Sequence, residues 1–162
     1  MDDLNEEQGY VFFWGTILSN FHECPVEIDG TTFKTSEHAF MAFKALHFND
    51  AESAIAILNA DTPYGAKKLG RKVAGFDPIE WDRVSFMYME RACYAKFDQN
   101  EDLKEKLLAT NNATLVEASP FDRIWGIGIG ADDPDRFDEL KWKGQNRLGL
   151  VLMAVRDTLR GK

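Results

Sequence analysis

Glu37 and Lys44 are the two residues whose types and spacing most suggest chemistry. They stand seven residues apart with Phe40 and Met41 between them, so in a helix they lie about two turns apart on one face. Ionised groups are costly to bury unless they are paired or hydrogen-bonded. Either this face lines a cleft, or Glu37 favours the helix N-terminus electrostatically while Lys44 reaches solvent along its aliphatic stem. The sequence leaves both interpretations open.

Clustered cations form a second group of candidates in an otherwise acidic chain. The first cluster lies within residues 67–72 and is either a solvated helix face or a phosphate contact. A second cluster precedes the start of the last predicted helix, at Asn146 and Arg147, where free N–H groups and the helix dipole favour anions. A helix that is merely capped is the alternative there. The cations of the two clusters are Lys67, Lys68, Arg71 and Lys72, and then Lys141 and Lys143.

Residues 125–130, Trp-Gly-Ile-Gly-Ile-Gly, combine an aromatic ring with three spaced glycines. The segment lacks the preceding strand and following helix of a dinucleotide-binding fingerprint. Spaced glycines let backbone N–H groups approach an anion or a sugar closely, and Trp125 either covers a flat base or packs in the core. No Ser/His/Asp order, His-Glu-x-x-His motif or Walker loop supports hydrolysis by a hydroxyl nucleophile or a metal, so we expect neither a metal nor a cofactor.

Composition limits the remaining classes of function. The 162 residues are 44% hydrophobic and 12% aromatic, with a formal net charge of −8, which is typical of a globular domain. The negative balance argues against broad binding to nucleic-acid backbones or anionic membranes, and leaves a small phosphorylated ligand as a partner. Cys24 and Cys93 are too few for a disulfide framework or a zinc site. With no signal-peptide pattern and no apolar run of membrane length, we expect a cytoplasmic protein.

The elements that must position these residues are predominantly helical. The pattern predicts a frayed tail over residues 1–9, a strand over 10–14, and a hairpin over 25–33 with Asp29-Gly30 as its turn. Helices are predicted from near Ser36, over 51–59, from Pro63, over 79–97 and after Asn100. A strand over 113–118, an irregular region over 119–147 and a helix over 148–159 with Asn146 as its cap follow. The sequence therefore predicts a compact, single α+β domain over residues 1–162, with a small antiparallel sheet.

Taken in order, these motifs resemble the YbiA-like proteins of the NADAR superfamily. The resemblance covers nearly all of residues 10–160, and Ala39, Met41 and Leu46 depart from it, since similar chains often carry Tyr, Gln and Phe there. The motifs that carry it are Ser19-Asn20-Phe21, Asp29-Gly30, Thr35-x-Glu37-His38-x-Phe40, Lys44, Gly70-Arg71, Trp81, Lys96-Phe97, Leu115-Val116-Glu117, Asp122, Trp125-Gly126-x-Gly128, Trp142-x-Gly144-x-Asn146, Leu148-Gly149 and Leu152-Met153-x-x-Arg156.

The resemblance implies a YbiA-like fold and an enzyme that hydrolyses an N-glycosidic bond at a ribose C1′. Family members are associated with a phosphoribosylamino-pyrimidine intermediate of riboflavin synthesis and with ADP-ribose attached to guanine in nucleic acid. Both substrate types stay open, as does the oligomeric state.

The resemblance also implies roles for particular residues. Glu37 is expected to stabilise charge on the ribose ring or to align water, and Lys44 to bind a phosphate or hydroxyl or to form a Schiff base. Asp122 is the third catalytic candidate, through the leaving group or a ribose hydroxyl. Trp81 and Trp142 are expected to lie in the core. The candidates for substrate binding are Asn20, Arg71, Trp125, Gly126 and Asn146.

Two competing hypotheses come from other classes of function. One is a non-catalytic module that binds ADP-ribose or a related nucleotide, which predicts affinity without turnover. The other is a structural or interaction protein, which predicts neither nucleotide affinity nor turnover. Retention of both Glu37 and Lys44 weighs against the first of these.

Overall fold

The computed structural model describes residues 4–162. Helices dominate the described chain and its strands are short, which confirms the predicted, predominantly helical α+β class. The strands are β1 (Tyr10–Phe13), β2 (Val26–Ile28), β3 (Thr31–Phe33) and β4 (Thr114–Glu117). The α-helices are α1 (Ser36–His47), α2 (Ala51–Leu58), α3 (Pro63–Gly70), α4 (Pro78–Gln99), α5 (Glu101–Leu108) and α6 (Arg147–Arg160).

The chain divides into two compact units. Unit 1 contains the described residues up to Ser19 together with Asn100–Lys162, and unit 2 is the continuous segment Asn20–Gln99. Each unit has its own small sheet, β1 with β4 in unit 1 and β2 with β3 in unit 2. None of the helices described over residues 4–162 is both long and apolar enough to cross a membrane.

Unit 2 is built around α1, which packs against α2, α3 and α4. The antiparallel hairpin β2–β3 precedes it, and Asp29 and Gly30 both have positive φ, at 52° and 81°. That conformation is the tight hairpin turn that Asp-Gly favours. Thr35 caps α1, because its side chain accepts a hydrogen bond from the His38 N–H at 3.2 Å. The hairpin and the helix start are therefore as predicted.

Unit 1 contains a pairing that the sequence does not reveal. Strands β1 and β4 lie parallel, with Tyr10 opposite Thr114 and Phe13 opposite Glu117. Helix α6 packs against β4 and against α5. The irregular region contains only two short 3₁₀ helices, Pro134–Phe137 and Glu139–Lys141. Both strands of this sheet were predicted, but the antiparallel hairpin was the only strand pairing that local pattern could indicate.

Three local predictions differ from the structure. Of the predicted frayed tail, residues 1–3 lie outside the described residues, whereas Glu7 exchanges two backbone hydrogen bonds with Tyr10 and Gly9 accepts one from Thr114. Asn100 and Asn146 occupy the N-cap positions of α5 and α6, but neither side chain makes the capping hydrogen bond. The Asn146 side chain cannot make the capping bond because its amide is hydrogen-bonded to the backbone of β4, as described below.

Candidate functional site

The N-terminus of α1 holds Glu37 in a buried position. Its side chain is 6% exposed, and its backbone N–H donates to the Asn20 carbonyl at 3.3 Å. Thr35 satisfies the next N–H of the helix. A carboxylate in the first helical turn is favoured by the helix dipole, so the fold offsets part of the cost of burying this charge. Glu37 therefore does not lie in open solvent, and the interpretation that this helix face lines a cleft stays a prediction.

Lys44 is half-buried on the same helix, beside aromatic rings. Its Nζ lies 4.4 Å from the centre of the Phe76 ring and 5.8 Å from that of Trp81. Burial lowers the pKa of Lys44 below its usual value, Glu37 opposes this shift and Arg71 adds to it. The amine therefore loses its proton more easily than a lysine in water. Two charged side chains of unit 2, Glu37 and Arg71, thus act electrostatically on Lys44.

The rings of Phe40, Phe48, Phe76 and Trp81 contact one another and form an aromatic wall, and the Lys44 amine lies over two of them, Phe76 and Trp81. Trp81 lies 5.2 Å from Phe40 of α1 and 6.2 Å from Phe48, and Phe48 lies 5.5 Å from Phe76, measured between ring centres. Trp81 was expected to lie in the core, and it does pack there in part, but its ring also faces the Lys44 amine. Aromatic faces attract cations by about 0.5–2 kcal/mol, so the wall holds the amine in place without supplying a counter-charge.

A hydrogen-bond network joins α1 to α4 behind this wall, and sequence reasoning missed it. His47 contacts the Tyr88 hydroxyl at 2.8 Å through Nδ1 and Glu80 at 2.9 Å through Nε2. Because a carboxylate only accepts, Nε2 carries a proton and donates it to Glu80. Hydrogen bonds from Arg83 and from His47 lower the pKa of Glu80 to about 2. Tyr88 stacks on Trp81 at 5.9 Å, so the network supports the wall.

Arg71 follows α3 directly and is exposed. The close approach of α3 to α1 depends on Gly70, because a Cβ there would overlap the sulfur of Met41. That approach places the Arg71 charge where it influences Lys44. An exposed guanidinium beside a half-buried amine is suited to an anionic group such as a phosphate.

Asn20 has an internal structural role. Its Oδ1 accepts from the Ser36 hydroxyl at 3.0 Å and from the Cys93 thiol at 3.5 Å, and its Nδ2 contacts the Met89 sulfur. Its carbonyl accepts from Glu37, and the residue is 5% exposed. These contacts fix the first turn of α1, so Asn20 positions Glu37. The prediction that it binds substrate stays a prediction.

The other four predicted site residues lie in unit 1, where Asp122 shapes the turn that carries Trp125. The Asp122 Oδ1 accepts from the N–H groups of Ile124 at 2.9 Å and Trp125 at 2.8 Å. Trp125 is half-buried, and the Arg147 guanidinium lies 4.9 Å from its ring centre. One face of the indole is therefore against a cation, and the prediction that Trp125 stacks on a base stays a prediction.

Gly126 and Asn146 lock this turn to α6 and β4. A Cβ at Gly126 would come within 2.9 Å of the Asp122 carbonyl oxygen, so no side chain fits there. The Gly126 carbonyl accepts from the Asn146 N–H at 3.0 Å. The Asn146 side chain is buried, accepts from the Glu117 N–H at 3.0 Å and donates to the Leu115 carbonyl at 2.9 Å. Its amide satisfies the backbone of β4, which explains why it does not cap α6.

The eight predicted residues thus form two groups. Glu37, Lys44, Asn20 and Arg71 belong to unit 2, and Asp122, Trp125, Gly126 and Asn146 belong to unit 1. Among residues 4–162, no three His, Cys, Asp or Glu side chains come together in a way that could hold a metal ion. The charged pair on α1 remains the predicted catalytic pair, and the structure adds the contacts of Phe76 and Trp81 with the Lys44 amine.

Comparison with known proteins agrees with this description. An N-glycosidase of Acanthamoeba polyphaga mimivirus is 39% identical over 165 residues, which cover 94% of this chain and 97% of that protein. The N-glycosidase YbiA of Escherichia coli is 37% identical over 142 residues, covering 88% of this chain and 80% of that protein.

The solved structure of E. coli YbiA matches the fold with a TM-score of 0.78 at 33% identity, covering 98% of this chain and 90% of that one. The model of the NADAR domain family matches residues 12–160. The chain therefore belongs to the NADAR family, whose resemblance its motifs had indicated.

Proposed function

We infer that the chain hydrolyses N-glycosyl bonds, as its relatives' names state for them, and we propose that the bond it breaks joins C1′ of a ribose to a base-type nitrogen. The ribose is that of a phosphoribosyl or an ADP-ribosyl group. The observation that carries the proposal is the placement of a buried carboxylate, Glu37, and a half-buried amine, Lys44, on one helix against an aromatic wall.

Glu37 is assigned to the sugar. Breaking the C1′–N bond builds positive charge on the ribose ring, so a carboxylate beside the ring stabilises the transition state more than the ground state. The alternative role for the same group is to orient the attacking water. A positioned charge or an acid–base group commonly contributes about 10²–10⁴-fold in rate.

Lys44 has two candidate roles. As an ammonium it binds a phosphate or a ribose hydroxyl. As a neutral amine it attacks C1′ of a ring-opened ribosylimine. The base nitrogen takes up the two protons that the Lys44 amine loses, and the C1′–N bond to the base breaks. Water then hydrolyses the resulting Schiff base to the open-chain sugar aldehyde and the Lys44 amine. The lowered pKa of Lys44 favours the second role, because only the unprotonated amine is a nucleophile.

The cations of α3 are assigned to the phosphates of the substrate. Arg71 is exposed and lies close enough to shift the pKa of Lys44, and Lys67 lies one helical turn before it, with its Nζ 5.7 Å from the Phe21 ring centre. Both a ribose phosphate and a diphosphate bridge need such cations. The acidic chain favours a small metabolite over long nucleic acid. Neither Cys24 nor Cys93 is in a disulfide bond, and a reducing, cytoplasmic setting would keep both as thiols.

The test is a side-by-side assay with both substrate types, in which released base is measured by chromatography. Wild type is expected to release base from at least one, and Glu37→Gln and Lys44→Ala to lower kcat/KM by about 10²-fold or more. Glu52→Gln, in the first turn of α2, and Lys106→Ala, on α5, are exposed controls that should retain full activity. Ligand affinity without any release of base would instead support the non-catalytic binding module.

A further inference from the structure

Two large aromatic side chains of unit 1 are exposed next to each other. Trp14 is 59% exposed and Phe121 is 82% exposed, and their ring centres lie 5.8 Å apart with 50° between the planes. Aromatic residues are enriched where proteins contact a partner, and adjoining exposed rings commonly mark such a surface. The pair is therefore a candidate binding surface, and it lies wholly in unit 1.

The two rings form one side of an open cleft of about 570 Å³, a volume within the range of protein binding sites for small groups. The rest of its lining consists of two prolines, a glycine, an alanine and two carboxylates, Asp132 and Asp133. None of the described residues that line it is a lysine or an arginine. Asp132 is exposed, whereas Asp133 accepts from the Asp135 N–H at 2.9 Å. The cleft thus combines aromatic faces with negative charge.

The contacts of Arg136, in the same unit, show which group suits this combination. Its guanidinium lies 4.2 Å from the ring centre of Phe137 and 5.5 Å from that of Phe12. Its Nη2 lies 3.3 Å from Oε2 of Glu7. Two aromatic rings and one carboxylate therefore hold this internal arginine, and the cleft presents the same kinds of groups.

A guanidinium fits these groups better than other common ligands do. It is planar and permanently charged, it stacks on aromatic faces, and its parallel N–H groups pair with a carboxylate. A lysine ammonium is attracted to the same rings but has no flat face to stack on them. A phosphate or a carboxylate would be repelled by the two aspartates. The cleft therefore favours a cation, and among cations a planar one.

We propose that this cleft binds an arginine side chain from a segment of a partner protein, with Trp14 and Phe121 packing on the guanidinium and Asp132 accepting its N–H groups. The formal net charge of −8 attracts a basic segment. An arginine within a polypeptide suits the cleft better than the free amino acid, because the aspartates repel the carboxylate of the latter. The proposal involves unit 1 alone and does not depend on the proposed function.

The test is an NMR titration with a short, end-blocked peptide that carries one arginine among glycines and serines. The indole N–H signal of Trp14, assigned by its absence from a Trp14→Phe spectrum, reports binding. The arginine peptide is expected to shift this signal saturably and to bind about tenfold more tightly than the same peptide with citrulline, whose neutral urea has a similar shape. A lysine peptide should bind more weakly than the arginine peptide, and raising the salt to about 0.5 M should weaken the arginine peptide.

Two variants test the assigned contacts. Phe121→Ala and Asp132→Asn are each expected to weaken the arginine peptide by about fivefold or more, and Asp132→Asn should also reduce the preference for arginine over citrulline. The matched controls are Leu140→Ala, at a 97% exposed apolar residue of unit 1, and Glu105→Gln, at an exposed carboxylate of α5. Both controls should bind the peptide as wild type does, and circular dichroism checks that every variant keeps its helices.

Several outcomes would overturn the proposal. An unmoved Trp14 signal at millimolar arginine peptide would exclude the cleft as an arginine site. Equal binding of the citrulline peptide would remove the role of charge, and unchanged affinity in both variants would place the peptide elsewhere. Equal or tighter binding of free arginine or spermidine would assign the cleft to a small cation. A saturable response to guanosine but not to the peptide would assign it to an uncharged ring.

Discussion

The Nζ of Lys44 lies 4.4 Å from the centre of the Phe76 ring, so the candidate nucleophile of α1 contacts an aromatic face supplied by the segment before α4. Phe76 is itself 44% exposed. The ring favours the ammonium form by attraction, while burial favours the neutral amine. Together with the charges of Glu37 and Arg71, these two effects set how much neutral amine is present near pH 7.

Phe76→Leu should shift that balance without opening the site. Leucine keeps the apolar cover and removes the aromatic attraction, which is worth about 0.5–1 kcal/mol at an exposed ring. The pKa of Lys44 is therefore expected to fall further. The measurement is an NMR titration of dimethylated lysine signals. Phe121→Leu is the matched control, and an increase in the pKa after Phe76→Leu would contradict the argument.

Removing the two charged neighbours of Lys44 should move its pKa in opposite directions. Glu37 raises this pKa and Arg71 lowers it. Glu37→Gln is therefore expected to lower the pKa, and Arg71→Ala to raise it. If the neutral amine reacts, the rising limb of the pH–rate profile shifts to higher pH in Arg71→Ala. Shifts of the same sign in both variants would show that the charges do not act on Lys44 as described.

Borohydride should trap the intermediate if Lys44 attacks C1′. Reduction converts the Schiff base into a stable secondary amine, so wild type treated with substrate and borohydride gains the mass of the ribosyl part. Peptide mass spectrometry is expected to place the adduct on Lys44 and to find none in Lys44→Ala. Normal turnover without any adduct would assign Lys44 to binding.

The burial of Lys96 predicts that the stability of the fold depends on pH above pH 8. It is 1% exposed, and burial lowers its pKa to about 8, with the thiols of Cys93 and Cys24 opposing the shift. The unfolded chain holds this proton up to the ordinary value of 10.5. The unfolded state therefore binds more protons between pH 8 and pH 10.5, and the free energy of unfolding rises with pH there, by at most about 3 kcal/mol.

Urea unfolding at several pH values measures this effect. Lys96→Met should lose the rise that wild type shows, because the variant has no proton to release at this site. Lys106→Met replaces an exposed lysine of α5 and should keep the rise. Parallel curves for wild type and Lys96→Met would count against a lowered pKa.

Asn146→Ala should destabilise the fold more than it affects chemistry. The substitution leaves the Glu117 N–H and the Leu115 carbonyl without partners, at about 1–3 kcal/mol each, and places alanine at a φ of +53°. Asn146→Gly removes the backbone strain and keeps the hydrogen-bond loss, so it should recover about 1 kcal/mol. Chemical unfolding measures both. A fall in kcat of the folded enzyme with unchanged stability would instead assign Asn146 to the substrate.

Local signals explain what could be predicted from the sequence. The Asp29-Gly30 turn, the Thr35 cap and Pro63 at the start of α3 depend on neighbours within a few residues, and all were predicted. The charged pair of α1 was also recognisable, because a seven-residue spacing defines a helix face before any tertiary contact is known.

Distant contacts explain the rest. Asn146 looks like a helix cap until β4 provides two backbone groups for its amide to bind. Asn20 looks like a loop residue until Ser36 and Cys93 occupy its oxygen. Phe76 and Trp81 become relevant to the site only because they contact the Lys44 amine. Trp14 becomes notable only because its ring lies beside that of Phe121. No periodicity in the chain relates these pairs.

The parallel pairing of β1 with β4 has a consequence for biosynthesis. Roughly 100 residues separate Tyr10 from its partner Thr114. The whole of unit 2 lies within that interval. During synthesis on the ribosome, the α1–α4 segment emerges early and has all its internal contacts available. Strand β1 cannot pair until β4, in the C-terminal third of the chain, has been synthesised. Closing so long a loop is slow compared with local helix formation. Nascent chains that end before β4 should therefore expose β1 as an apolar edge for chaperones to cover.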